Sequence, residues 1–439
     1  MRIVVMGAGI MGLASAFELL QDGHEVTVLE AAPAPGGLAG SFDFEGTPAE
    51  KFYHFICGSD RVYFRWLARL GLANRLRWRR TSMGMFYNGR LQPFGDPLSL
   101  LRFSALPMAA RIRYGLHVLS ARRRTDWKAL EDVPAKEWLL AGEGEEPYRV
   151  IWEPLLRSKF GEETERISAA WIWSRIHRLG SSRRGFFQEW LGFVAGGGSQ
   201  VIVDALATAV RSLGGDIRCD TPVDRIYLQL GRVAGARAGG KDYPADALLS
   251  TIPLPILVEI GKDLPEDYRR KAIDLGNIGV RCIILKTAEP LTPYFWINTN
   301  DDGLPIVGLI EYTNLNPPEA FGGASLIYSP HYVSAKSDAY RRPEEEVYEE
   351  TLESMEAIRP GFARSSVLGY RVFRAPYAQP VCPVGFTRRL APLRTPVPNL
   401  VAGDTSHLLP DDRSISDSLA LAERLTAAMR DVIAEAERS

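Results

Sequence analysis

After Arg2 the apolar positions run unbroken through Ile3-Val-Val-Met6, completing the strand-like Arg2–Met6, stop at Gly7-Ala-Gly-Ile-Met-Gly12, and resume with helical spacing over Leu13-Ala-Ser-Ala-Phe-Glu-Leu-Leu20. A short apolar run bounded by glycine predicts a buried strand, and the following spacing predicts a helix that ends at Gly23. Glu25-Val-Thr-Val-Leu-Glu30 predicts a second strand. Parallel strands need a crossover, so the three elements predict a βαβ unit and the opening of a doubly wound α/β fold.

From Asp60 to about Trp190 the pattern changes to helical segments carrying Arg and Trp, broken by Pro and Gly, as expected of an inserted domain. The sheet pattern then returns. Ala195-Gly-Gly-Gly-Ser199 leads into a helix over 201–213, followed by strands around 223–228 and 246–253. Segments 282–286, 294–298, 305–312 and 325–329 alternate or run in β-like fashion between turn residues and predict an antiparallel sheet. A last strand over 399–402 meets Gly403-Asp404, and a terminal helix is expected from about Ser416. The predicted architecture is a Rossmann-like α/β domain of residues 1–59, 195–262 and 365–439, interleaved with an α+β substrate domain of residues 60–194 and 263–364.

A chain of 439 residues exceeds the size at which one core stops growing, which agrees with two domains. Lys and Arg (52) nearly balance Asp and Glu (53), so nothing global points to nucleic acid and any anion recognition is local. Four cysteines lie far apart without CxxC or Cys/His spacing, which argues against structural zinc and a disulfide framework; no metal is expected, and a reducing cytoplasm is the expected location. No apolar run has the length of a signal peptide or membrane span.

Gly7, Gly9 and Gly12 have GxGxxG spacing: the first permits a tight turn, the second lets backbone reach a pyrophosphate, and the third lets helix pack on strand. Glu30, at the end of the second strand, is placed to accept a ribose hydroxyl and would repel a 2′-phosphate, which argues against NADP. Six residues later comes Gly36-Gly37-Leu-Ala-Gly-Ser41. Here the chain resembles the FAD-binding opening of the amine oxidase superfamily, a glutathione-reductase-like fold, and GGLAGS is most similar to its protoporphyrinogen-oxidase-like and UDP-galactopyranose-mutase-like branches. Many members carry a basic residue where this chain has Leu38.

The resemblance extends over almost the whole chain. Residues 195–226 resemble the second FAD stretch, 250–253 the loop that follows it, and Asn399-Leu-Val-Ala-Gly-Asp404 the terminal FAD motif, where the aspartate meets the ribityl arm. It implies FAD as cofactor, with Gly7, Gly9, Ile10, Met11, Gly12, Glu30, Gly36, Gly37, Leu38, Ala39, Val223, Thr251, Gly403 and Asp404 around it. Val223 is equally an ordinary core valine. Family members often have glycine near the start of the last helix, whereas this chain reads Ile415-Ser-Asp-Ser-Leu419, in which Ser or Asp can act as N-cap.

On the substrate side, Glu50-Lys-Phe-Tyr-His54 sits where relatives bring a loop near the flavin, making His54 a candidate. Arg374 and Tyr377, in a segment resembling one that enters the family's cavity, are candidates to line the pocket; the alternative for Arg374 is a pair across the domain interface. Glu311, Tyr312 and Asn314 can reach the cavity, although strand alternation prevents all of them from pointing inward. Trp171 and Trp173 read as a core pair rather than a cofactor cage. Residues 98–124 mix Leu, Phe and Met with Arg111, Arg113, Arg122, Arg123 and Arg124 among their arginines, a pattern of a solvated helix face or of peripheral membrane contact. The resemblance implies hydride transfer from a CH-CH or CH-NH bond of a small-molecule substrate to noncovalent FAD. The alternatives are a flavin-dependent nucleotide-sugar mutase and a noncatalytic flavoprotein.

Overall fold

Arg2–Met6 lies at the centre of a five-stranded parallel sheet, flanked by Glu25–Leu29 and Ala247–Ser250, with Asp216–Arg218 and Leu400–Ala402 at the edges. The computed structural model describes residues 1–181, 189–301, 303–411 and 413–438. The central position follows from a strand apolar on both faces. Ile3 and Val5 pack beneath the helices Ile10–Gln21, Gln200–Ser212 and Ile415–Arg438, while Val4 and Met6 face Ile226, Leu257 and Tyr268.

A second, seven-stranded sheet runs in the order Val367–Pro380, Asn277–Thr287, Ser325–Val333, Gly308–Glu311, Trp296–Thr299, Met83–Tyr87 and Arg90–Phe94. All its pairings are antiparallel except that of Trp296–Thr299 with Met83–Tyr87. Helices Met108–Arg123, Ala135–Glu143, Glu153–Phe160 and Ala169–Ser181 enclose a separate core with Leu139, Leu156 and Trp171 at its centre.

The domain division differs from expectation in two places. Val367–Pro380 pairs from end to end, with two register irregularities, with Asn277–Thr287, which satisfies its amides there, so residues 367–380 belong with the antiparallel sheet. The helix Arg61–Arg69 buries Tyr63, Trp66 and Leu67 in the core of the parallel sheet, so it belongs with the dinucleotide-binding part. Three strands between residues 76 and 94 also replace the all-helical pattern expected there. Two of them are joined at Asn88 (φ 50°) and Gly89 (φ 68°), the left-handed pair that a two-residue hairpin requires.

Trp171 and Trp173 are buried on one helix, where residues two apart point to nearly opposite sides; both are core, and the Trp173 ring N–H donates to Ala121 O at 3.0 Å. No described helix is long and apolar enough to cross a membrane.

Candidate functional site

Close approach of backbone shapes the first turn. A Cβ at Gly12 would lie 1.8 Å from the Gly7 carbonyl oxygen, so only glycine lets the helix seat this near the strand. At Gly9 a Cβ would meet nothing within 4 Å, and Gly9 lines the cavity. It is also the N-cap of Ile10–Gln21 without a side-chain cap, which leaves the first-turn amides available to an anion. Gly36 donates its N–H to Ala8 O at 2.9 Å and bridges to Gly9, so the two glycine loops meet at one wall of a cavity of about 590 Å³.

Glu30 lines the same wall. Its Oε2 accepts the Ala8 N–H at 2.6 Å and its Oε1 the Ala32 N–H at 2.8 Å, which holds the carboxylate in place while lone pairs remain for a hydroxyl. Thr251 donates both its N–H (3.0 Å) and its hydroxyl (2.9 Å) to Met6 O and so braces the turn from behind. Ile10, Met11, Gly37, Leu38, Ala39, Val223, Thr251 and Asp404 also line the cavity. Gly12 and Gly403 are not among the lining residues. Gly12 acts through packing, and Gly403 donates to Ser250 O at 3.0 Å where a Cβ would lie 2.8 Å from Leu393.

The buried Asp404 carboxylate accepts from Leu254 N–H (2.8 Å), Ser406 N–H (2.9 Å) and the Ser406 hydroxyl (2.5 Å). Burial pushes this carboxyl up, but the His407 ring and these donors outweigh it and hold it below its ordinary value. A 3-10 turn follows, and the terminal helix begins only at Ile415; Ser414 Oγ accepts the Asp417 N–H at 2.9 Å as its cap. Ser414, Ile415 and Ser416 line the cavity, so this helix presents its N-terminus there although it lacks the family's glycine.

Beyond the glycine cradle the cavity widens between aromatic residues. Tyr53 packs edge-on to Trp296 at 5.5 Å between ring centroids, and Phe55 to Trp296 at 6.4 Å; Tyr332 and Tyr377 line the same space. The Lys159 ammonium lies 5.1 Å from the Trp171 ring and 4.6 Å from the Tyr332 ring. His54 and Tyr377 reach the cavity. Arg374 does not: its guanidinium meets Glu344 at 3.0 Å and donates to the carbonyls of Tyr340 and Arg342, a structural pairing in place of the expected pocket role. Of the other three candidates only Tyr312 lines the cavity. Glu311 accepts the Leu291 and Thr292 amides, with burial pushing it up to about 7, and Asn314 donates to Thr292 O and Tyr294 O.

Sequence reasoning missed the carboxylate behind His54. Glu50, fully buried, accepts the His54 N–H at 2.8 Å and lies 3.6 Å from the ring Nδ1. It also accepts the amide and the hydroxyl of Ser199, each at 2.6 Å. Burial pushes the Glu50 carboxyl up, yet His54 and Ser199 outweigh this and hold it below its ordinary value. A Cβ at Gly198 would lie 2.5 Å from Glu50 Oε1, which ties the glycine run before Ser199 to this contact.

The donor set fits a dinucleotide: glycine backbone and a helix N-terminus for pyrophosphate, Glu30 for ribose, and an aromatic chamber beyond. Residues 10–409 match the family model for flavin-containing amine oxidoreductases. A zeta-carotene desaturase from Synechocystis sp. is 27% identical over 192 residues, 38% of this chain and 39% of that protein, so the matched stretch spans well under two thirds of the relative. An oxidoreductase from Methanosarcina mazei superposes with a TM-score of 0.76 at 19% identity, covering 97% of this chain and all of that one. Reduced UDP-galactopyranose mutase superposes with a TM-score of 0.74 at 16% identity, covering 99% of this chain and 95% of that one. At these identities the structural likeness concerns the fold.

Proposed function

The chain belongs to the flavin-containing amine oxidoreductase family, and from that premise we propose that it oxidises a small organic substrate with an apolar body by means of noncovalently held FAD. The observation that carries this reading is the continuity of one cavity from the glycine cradle at Gly9 and Gly36 to the aromatic chamber of Tyr53, Phe55 and Trp296, which accommodates cofactor and substrate side by side. FAD supplies the hydride-accepting chemistry at a CH-CH or CH-NH bond.

The chain's own residues bind, orient and exclude water. The first-turn amides after Gly9 would hold the pyrophosphate and Glu30 would accept from the ribose, with Val223 among the residues lining the same cavity. The amides that open Ile415–Arg438 stabilise negative charge in the chamber. Tyr53, Phe55, Trp296 and Tyr377 desolvate the substrate. His54, seated on Glu50, is the group placed to hold or move a proton there.

Anaerobic titration of the FAD-loaded protein with candidate amines, polyprenoids and porphyrinogens tests the reading. Bleaching of the visible flavin absorption by one class supports it. Turnover of a nucleotide sugar that needs reduced flavin and leaves no net redox change would replace it with the mutase reading.

A further inference from the structure

Six of the eleven large apolar side chains exposed among the described residues lie within 22 positions: Leu98, Leu101, Met108, Ile112, Leu116 and Leu119. In Met108–Arg123 the last four recur at i, i+4, i+8 and i+11, which puts them on one face, while Ala110, His117 and Ala121 on the opposite face are buried. The usual arrangement is therefore reversed: the solvent side of a helix already packed into its domain carries a second apolar stripe. Leu98 and Leu101 are also exposed, on the adjoining helix Pro97–Arg102, whose Leu100 side chain lies against Gly115. An apolar row of this kind is unusual on a free surface.

Charge identifies the occupant. Residues 97–124 contain Arg102, Arg111, Arg113, Arg122, Arg123 and Arg124 and no Asp or Glu, in a chain whose formal charge is -1; of these, Arg113 is paired with Glu146 at 3.4 Å. Arg111 donates to the Leu106 and Leu101 carbonyls, which holds its guanidinium between the two helices. A second copy docked face to face would bring two arginine-rich surfaces together, whereas an anionic lipid surface complements both the charge and the apolar row. We propose that the face formed by Pro97–Arg102 and Met108–Arg123 docks on an anionic lipid bilayer, with Leu98, Leu101, Met108, Ile112, Leu116 and Leu119 entering the acyl boundary. The helix Ala169–Ser181 lies directly behind: Trp173 donates to Ala121 O, and Arg178, five residues on, lines the cavity and meets Asp60 at 3.1 Å. One layer of helix thus separates the docking face from the chamber. The inference concerns a surface outside the cavity, so it stands or fails separately from the substrate reading.

The test is sedimentation of the FAD-loaded protein with vesicles of phosphatidylcholine alone or mixed with phosphatidylglycerol. The wild type binds the mixed vesicles, binds phosphatidylcholine weakly, and is released by salt. Ile112→Ser/Leu116→Ser lowers the affinity about tenfold or more, whereas Leu230→Ser, a change at another exposed leucine, leaves it unchanged. Should the double serine variant lose its fold, Arg123→Gln/Arg124→Gln, also exposed, provides the same comparison through weaker binding at low salt. Failure of the wild type to bind phosphatidylglycerol vesicles would overturn the proposal. So would a dimer in sedimentation velocity that Ile112→Ser/Leu116→Ser dissociates, since that result gives the face to a second copy.

Discussion

Glu50 Oε1 accepts both the backbone N–H and the hydroxyl of Ser199 at 2.6 Å, joining the strand Pro48–Glu50 to the start of the helix Gln200–Ser212 inside the cavity wall. The same carboxylate holds the His54 amide. Glu50→Gln presents an NH2 group to donors and is expected to cost about 1–3 kcal/mol in urea unfolding. Because the folded Glu50 carboxyl lies below the unfolded value of 4.5, its contribution is complete above that pH and is lost as pH falls through the folded value. The gap between wild type and Glu50→Gln therefore narrows as the buffer is acidified below pH 4.5.

Two glycines of the fingerprint separate folding from binding. Gly12→Ala places a Cβ 1.8 Å from a backbone oxygen and is expected to lower stability by at least ~2 kcal/mol. Gly9→Ala meets no protein atom within 4 Å and occupies the cavity instead. Its melting temperature without cofactor should match the wild type while FAD occupancy falls, as read by flavin absorbance per chain.

Glu30→Ala is expected to weaken FAD binding by about 1–3 kcal/mol in a flavin fluorescence titration. It also removes the acceptor of the Ala8 and Ala32 amides, so the protein without cofactor loses some thermal stability as well. Unchanged FAD affinity would show that this carboxylate only braces the turn.

The dinucleotide half was legible because local rules and tertiary packing agree there. Gly7, Gly9, Gly12, Glu30 and Gly36-Gly37 each state a backbone or charge requirement within a few residues, and the structure brings all of these but Gly12 to one cavity. The Asn88-Gly89 hairpin carries a signal of the same local kind, set among arginines and tryptophans whose spacing reads as helical. Glu50 with Ser199, and Tyr53 with Trp296, were not legible: each pair joins segments more than a hundred residues apart, and no spacing announces such a meeting. Arg374 lies next to Ala375, Pro376 and Tyr377, which line the cavity, but its own side chain turns to Glu344, and no spacing in the sequence distinguishes it from these neighbours.

Glu143 is a fully buried carboxyl in the helical part, pushed up to about 9 by burial. The folded state therefore retains a proton that the unfolded chain has lost above its ordinary value of 4.5, and stability falls as pH rises between these two values. Glu143→Gln stays neutral throughout. It should match the wild type near pH 5 and exceed it by about 1–3 kcal/mol at pH 8, measured by urea unfolding at both pH values. A constant difference across that range would place the carboxyl in contact with water.

The visible absorption spectrum of the purified protein, taken before and after denaturation and filtration, tests the central claim most directly. Flavin bands on the folded chain and about one equivalent of FAD in the filtrate are expected if the Gly9, Glu30 and Gly36 wall holds the dinucleotide without a covalent bond. A folded protein that neither carries flavin nor takes it up from added FAD would contradict it, as would flavin that stays with the denatured chain.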